Sequence, residues 1–247
     1  MRIAWALILA CCVGPAAGAT LSQWNFNSDD GDAATGTLTA AIGSGSLVLV
    51  GGTTDLFTLG SPGDPALPPL DSSWSVGGYP AQGTASGTAG FEGFVSTIGF
   101  QNLSISFDFR NQPSANKWFA LQATADHGAV WNDVATFSVD TADTWFTQAF
   151  AISPALAAAN DNAMFGFRIV AVFAPATSAY EASEAGYNPD FGLQYDMLAV
   201  TGQPVPEPST MLAIVAGVTA IALLLRLHRR GRKAAGCTGG MHFLTAS

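Results

Sequence analysis

Apolar and polar residues alternate with period two most cleanly in Leu103-Ser-Ile105-Ser-Phe107-Asp-Phe109-Arg110, the pattern of a half-buried strand. Leu103, Ile105, Phe107 and Phe109 are predicted to point into a core, and the intervening polar residues to face solvent. Similar runs cover residues 23–26, 46–50, 90–96, 118–124, 136–139, 144–152, 164–173 and 192–201. Between them stand clusters such as Gly60-Ser-Pro-Gly-Asp-Pro and Asp126-His-Gly, whose residue types suit turns. Only residues 154–160 offer a helical turn. The expected fold over residues 20–203 is all-β, a two-sheet, jelly-roll-like β-sandwich of about eight to ten strands. Trp24, Trp118 and Trp145 lie in strand-like runs and are assigned to its core. Asp108 and Asp196, polar positions between apolar ones, are assigned to its solvent face.

Two apolar runs near the termini break this pattern. Ile3 to Val13 follows the basic Met1-Arg2 and precedes Ala17-Gly18-Ala19, so residues 1–19 read as a signal peptide cut before Thr20 by signal peptidase after passage through the export machinery. Ile8-Leu9-Ala10-Cys11 has the look of a lipobox, which would leave a lipidated Cys11, but it begins after only seven residues. Met211 to Leu225 carries no charge and as a helix runs roughly 22 Å at about 1.5 Å per residue, short of a hydrocarbon core of about 30 Å. Extension to about residues 209–227, with the Arg226 stem reaching toward the headgroups, makes a single transmembrane helix. Arg226, Arg229, Arg230, Arg232 and Lys233 follow, and such a basic cluster sets the cytoplasmic side. Ahead of the helix, Pro206 and Pro208 flank Glu207 and hold the chain extended, where a processing enzyme can grip it. A plain single-pass anchor with a proline-rich neck is the competing reading. Residues 234–247 are an unassigned tail.

Val205-Pro206-Glu207-Pro208-Ser209-Thr210, a short apolar helix and an Arg-rich end, in that order over residues 204–233, resemble the PEP-CTERM sorting signal of exported bacterial proteins. The resemblance implies recognition by an exosortase and removal of the signal near Pro206-Glu207-Pro208. The precursor would be anchored in the inner membrane and the ectodomain then delivered to the cell surface or extracellular matrix. The order Ile-Ser-Phe-Asp-Phe-Arg, then Trp-Phe-Ala-Leu-Gln-Ala-Thr-Ala-Asp-His-Gly-Ala-Val-Trp, then Leu-Gln-Tyr-Asp-Met-Leu-Ala-Val-Thr-Gly resembles jelly-roll modules that precede such signals, many of them similar to carbohydrate-binding domains.

Charge and composition narrow the chemistry. Cys11, Cys12 and Cys237 all fall outside residues 20–203, so that region has neither disulfide nor thiol chemistry. It holds seventeen acidic residues against Arg110, Lys117 and Arg168, a net charge of −14, which repels nucleic acid and anionic lipid. No Gly-x-Ser-x-Gly elbow, Gly-x-Gly-x-x-Gly loop, Walker sequence, His-Glu-x-x-His or Cys-x-x-Cys occurs. His127, the one histidine of the region, sits in a predicted turn and is read as exposed. Glycosidase chemistry needs two carboxylates across a sugar bond, and no familiar pairing of Glu92, Glu181 and Glu184 is present. No enzyme is expected, with an unrecognised aspartate pair as the alternative.

Sugar binding uses aromatic faces with a few polar groups beside them. Trp74 and Tyr79, which flank Gly-Gly in a loop-like stretch, and Tyr180 and Tyr187 are the candidate glycan platform; the competing reading is that they plug the ends of the sandwich. Asp29, Asp30 and Asp32 offer carboxylates for a structural calcium ion, or else form a solvated acidic turn. The expected role is that of an exosortase-sorted surface or matrix protein holding exopolysaccharide, with a carbohydrate-binding module and a glycan-active enzyme as alternatives.

Overall fold

The structure, a computed structural model, describes residues 18–66, 70–184, 186–206 and 217–226. The chain divides into two compact units, Met1–Val205 and Pro206–Ser247. Strands in the first unit are β1 (Ala19–Trp24), β2 (Ile42–Gly43), β3 (Ser46–Val50), β4 (Thr54–Leu59), β5 (Ser72–Gly77) and β6 (Gly90–Phe94). They continue with β7 (Phe100–Asn111), β8 (Trp118–Thr124), β9 (Asn132–Ser138), β10 (Phe146–Ala151), β11 (Gly166–Ala171) and β12 (Leu193–Pro204). A single 3-10 turn at Ala157–Ala159 occupies the predicted helical stretch.

Every strand pairing is antiparallel, and two sheets result. The smaller runs β3-β6-β11-β8-β9, and the larger runs β10-β7-β12-β1-β2 with β5 and β4 added beside β12. Strand β12 is the spine of the larger sheet: β7 pairs along one edge, while β5 and β1 share the other. Their facing sides bury one aromatic-rich core, with Phe91 of the smaller sheet 4.9 Å from Trp74 and 4.8 Å from Tyr195 of the larger between ring centres. Leu103, Ile105, Phe107 and Phe109 all lie inside, as their alternation predicts.

Three elements depart from the sequence reading. Strand β5 occupies a stretch read as a loop; Trp74 and Val76 point inward, while the buried hydroxyls of Ser72 and Ser73 donate to the Thr35 and Leu59 carbonyls at 3.3 and 3.0 Å. Its partner β4 and the two-residue β2 were also unassigned. Trp118 and Trp145 are only partly buried rather than core. In β8 the inward phase belongs to Phe119, Leu121 and Ala123, which turns Trp118 outward, where its Nε1 donates to Glu181 Oε2 at 2.9 Å.

In the second unit, residues 217–226 are helical. Among the described residues no helix is long and apolar enough to cross a membrane. Residues 209–216 and 227 of the predicted span, the signal peptide up to residue 17, Glu207 and Pro208, and Arg229, Arg230, Arg232 and Lys233 lie outside the described residues.

Candidate functional site

The outer face of the larger sheet carries polar side chains in registered rows. One row runs Leu56, Ser75, Gln194, Arg110 across β4, β5, β12 and β7. Part of this face is a groove of about 340 Å³. Ser75, Gln112 and Gln194 contribute hydroxyl and amide groups, Asp190 a carboxylate, and Leu56 and Phe191 apolar surface, while Asp55 lines the rim with its carboxylate turned to the core side. Leu56 is 59% exposed and Phe191 37%. The Gln194 Oε1 atom is buried without a hydrogen-bond partner, while the side chain as a whole is half-buried along the groove. Asp55 Oδ2 accepts from Trp74 Nε1 at 2.6 Å, which ties the groove's rim to a core side chain.

The neighbouring row on the same face is roofed. Asp196 pairs in register with Asp108, and Asp108 with Thr147, but neither aspartate is at the solvent surface the sequence assigned to it; both are buried. The connection from β4 to β5 lies over them. Ser61 N donates to Asp196 Oδ2 at 2.7 Å, and Ser61 Oγ to Asp108 Oδ2 at 2.8 Å. Glycine is required for so close an approach: a Cβ on Gly60 would stand 1.9 Å from Asp71 Oδ1, and one on Gly63 would stand 2.1 Å from Asp108 Oδ2. Asp64, also buried, accepts from Asn27 Nδ2 at 2.8 Å and from Ala66 N at 2.7 Å. Burial and the nearby Asp64 charge push the Asp71 carboxyl up to about 6. Burial pushes Asp196 up to about 7 against the opposing hydrogen bond from Ser61 N.

The four candidate platform rings do not form an open platform. Trp74, Tyr79 and Tyr180 are buried and Tyr187 is partly buried. Trp74 stacks on Phe26 at 5.7 Å, and Tyr79 meets Phe119 edge-on at 6.0 Å. Tyr180 stacks on Tyr187 at 4.8 Å, and their hydroxyls donate to the Thr84 and Pro80 carbonyls at 2.9 and 2.7 Å. These contacts pack the rings against the sandwich, and a ring buried in this way does not offer a face to a sugar.

Asp29, Asp30 and Asp32 are not gathered around a common point either. Asp30 Oδ1 accepts from Ser28 Oγ, Asp32 N and Thr35 Oγ1 at 2.7, 3.0 and 2.7 Å, and Asp32 Oδ1 accepts from Ala34 N at 2.9 Å. Those bonds close an exposed turn. Among the described residues the group of three acids close enough to share an ion is Asp64, Asp71 and Asp196. His127 is exposed at φ 58° with its ring 4.2 Å from Phe94, as a turn residue should be. Of the sorting motif, Val205 is described on the first unit, where its N–H donates to the Gly99 carbonyl at 2.8 Å. The sequence reading passed over Phe191, Gln194 and Asp190; the available signal was an aromatic set between Asp190 and Gly192 directly ahead of a strand.

No protein-family model and no curated protein sequence matches the chain. Among solved structures, the chain is similar to the CBM22-1 xylan-binding domain of Paenibacillus barcinonensis Xyn10C, with 12% identity over 78% of this chain and 100% of that one and a TM-score of 0.42. The CBM22-1 and GH10 modules of a Clostridium thermocellum endo-1,4-beta-D-xylanase, complexed with xylohexaose, give 11% identity over 75% of this chain and 29% of that one, at 0.44. The K1 adhesin domain of Lys-gingipain from Porphyromonas gingivalis gives 7% over 77% and 99%, at 0.39.

Proposed function

We propose that the chain is an exported, sorted surface or matrix protein whose sandwich holds a neutral polysaccharide in the groove between β4, β5 and β12, without catalysing its cleavage. The observation that carries this reading is the groove itself, where the exposed Leu56 and Phe191 stand beside the polar side chains of Ser75, Gln112 and Gln194. Sugars combine apolar C–H faces with hydroxyl groups, and a site that supplies both an apolar wall and polar side chains recognises that combination. Asp190 on the wall accepts from hydroxyls but, within a strongly acidic sandwich, repels uronates and sulfated chains, so the ligand is neutral.

The test is retention of the full chain on immobilised neutral and acidic polysaccharides. Phe191→Ala and Gln194→Ala are expected to weaken binding to the neutral ones about tenfold each, the size of one stacking contact or one lost buried hydrogen bond. No retention on any polysaccharide, or full retention by both variants, overturns the reading. The Asp190 carboxylate in the groove keeps a glycan-active enzyme as a second reading; release of reducing ends that stops in Asp190→Asn would favour it.

The sorting half of the proposal rests on the residues at 204–233. Its expected outcome is an intact mass for a species that begins at Thr20 and ends near Pro206, lost from strains without the exosortase. Retention of residues 211–247 in both strains would replace it with a plain anchor.

A further inference from the structure

Asp64 in the β4–β5 connection, Asp71 just before β5 and Asp196 on β12 come from three separate stretches, yet one oxygen from each lies within 4.8 Å of the others. Two oxygens on opposite sides of an ion bound at about 2.3–2.6 Å, the calcium distance, stand about that far apart. All three residues are buried, where like charges repel far more than in water.

No basic side chain of the sandwich relieves them. Arg110 pairs with Asp143 at 2.9 Å, Lys117 with Glu181 at 2.8 Å, and Arg168 donates to Gln122 Oε1 at 2.6 Å with its guanidinium over Trp131. Asp71 supplies a second, independent sign. It is 4% exposed, its Oδ1 has no hydrogen-bond partner, and that atom faces the same Gly60 surface as Asp196 Oδ2. A buried carboxylate oxygen without a donor is unfavourable by itself, and it is the ligand that a hard cation takes.

From this geometry we infer that Asp64, Asp71 and Asp196 bind a divalent cation of calcium's kind, with water or backbone carbonyls completing its shell. A cavity of about 260 Å³, lined by Gly60, Ser61, Pro62, Asp64 and Asp71 among others, gives the ion access. The ion ties the roof formed by residues 60–66 to β12 and to the head of β5, next to the proposed sugar groove but independent of whether sugar binds there.

The experiment is a calcium titration of the full chain after chelator treatment, followed by calorimetry and thermal unfolding. One calcium per chain is expected, with Tm raised by about 5–10 °C at roughly a hundredfold excess over Kd. Asp71→Asn is expected to weaken calcium binding at least tenfold while its Tm in chelator stays equal or rises, because one repelling charge is gone. A purely structural aspartate would instead lower Tm in both conditions. Asp64→Asn gives the same readout if Asp71→Asn does not fold, and Asp30→Asn should leave the response intact. Absence of heat and of any Tm change at millimolar calcium overturns the inference, as does undiminished affinity in Asp71→Asn or loss of the response in Asp30→Asn.

Discussion

Asp196 stands at a polar position of an alternating strand, and alternation assigns it correctly to the face away from the core. What alternation cannot report is that the chain between β4 and β5 folds back over that face. The signal for the roof was present but indirect: Gly60 and Gly63 bracket Ser61 and Pro62, and a roof that rests on carboxylates needs residues without Cβ atoms at those points. Trp74 was misplaced for a related reason. Gly77-Gly78-Tyr79-Pro80 follows it and reads as a turn, so a strand that is half serine, with two inward apolar residues, carries no strand pattern. Serine is a weak strand former on its own, and only the partners for Ser72 and Ser73 make it tolerable inside. Phe191 was overlooked because a lone aromatic in a loop carries no periodic pattern.

At the scale of elements, β3 and β8 fall within the predicted bounds of 46–50 and 118–124, and β7 extends its predicted run by three residues at one end and one at the other. Short hydrophobic runs bounded by turns localise strands well. They do not show irregularities inside a strand, and β12 has a decisive one. Leu193 and Tyr195 point inward, and so do Leu198 and Val200, a phase change that pure alternation forbids. The pairing with β7 shifts register between Asp196 and Ala199, and Met197 sits there at φ 47°. The bulge inserts one residue so that Tyr195 and Leu198 both reach the core while Asp196 meets the roof. A left-handed conformation costs an ordinary residue about 1–2 kcal/mol, and more for a β-branched one. Met197→Val is therefore expected to destabilise the sandwich by about 1–2 kcal/mol in urea unfolding; an unchanged midpoint would show that the bulge is not needed.

For the whole molecule, the two-sheet prediction follows from many short strands and frequent turns, but pairing order is set by non-local contacts. Connections such as β5 to β6, β6 to β7, β7 to β8 and β9 to β10 pass from one sheet to the other, and no local pattern encodes which distant strand becomes a neighbour. One global consequence is measurable through the tyrosines. The chain has four, Tyr79, Tyr180, Tyr187 and Tyr195, and burial raises every one of their phenols above the ordinary value, Tyr180 to about 12. The native state then holds protons that the unfolded chain releases near pH 10, so stability must fall as pH rises above that value. Its contribution is fully present below about pH 10 and disappears as the pH climbs toward the folded values. Raising the pH to about 11 should therefore produce the near-ultraviolet phenolate band only in step with loss of the β-sheet circular dichroism. Were the four phenols to titrate reversibly near pH 10 with the sheet signal intact, the rings would have to be open to water, and the plugged, fully packed interior described above would be wrong.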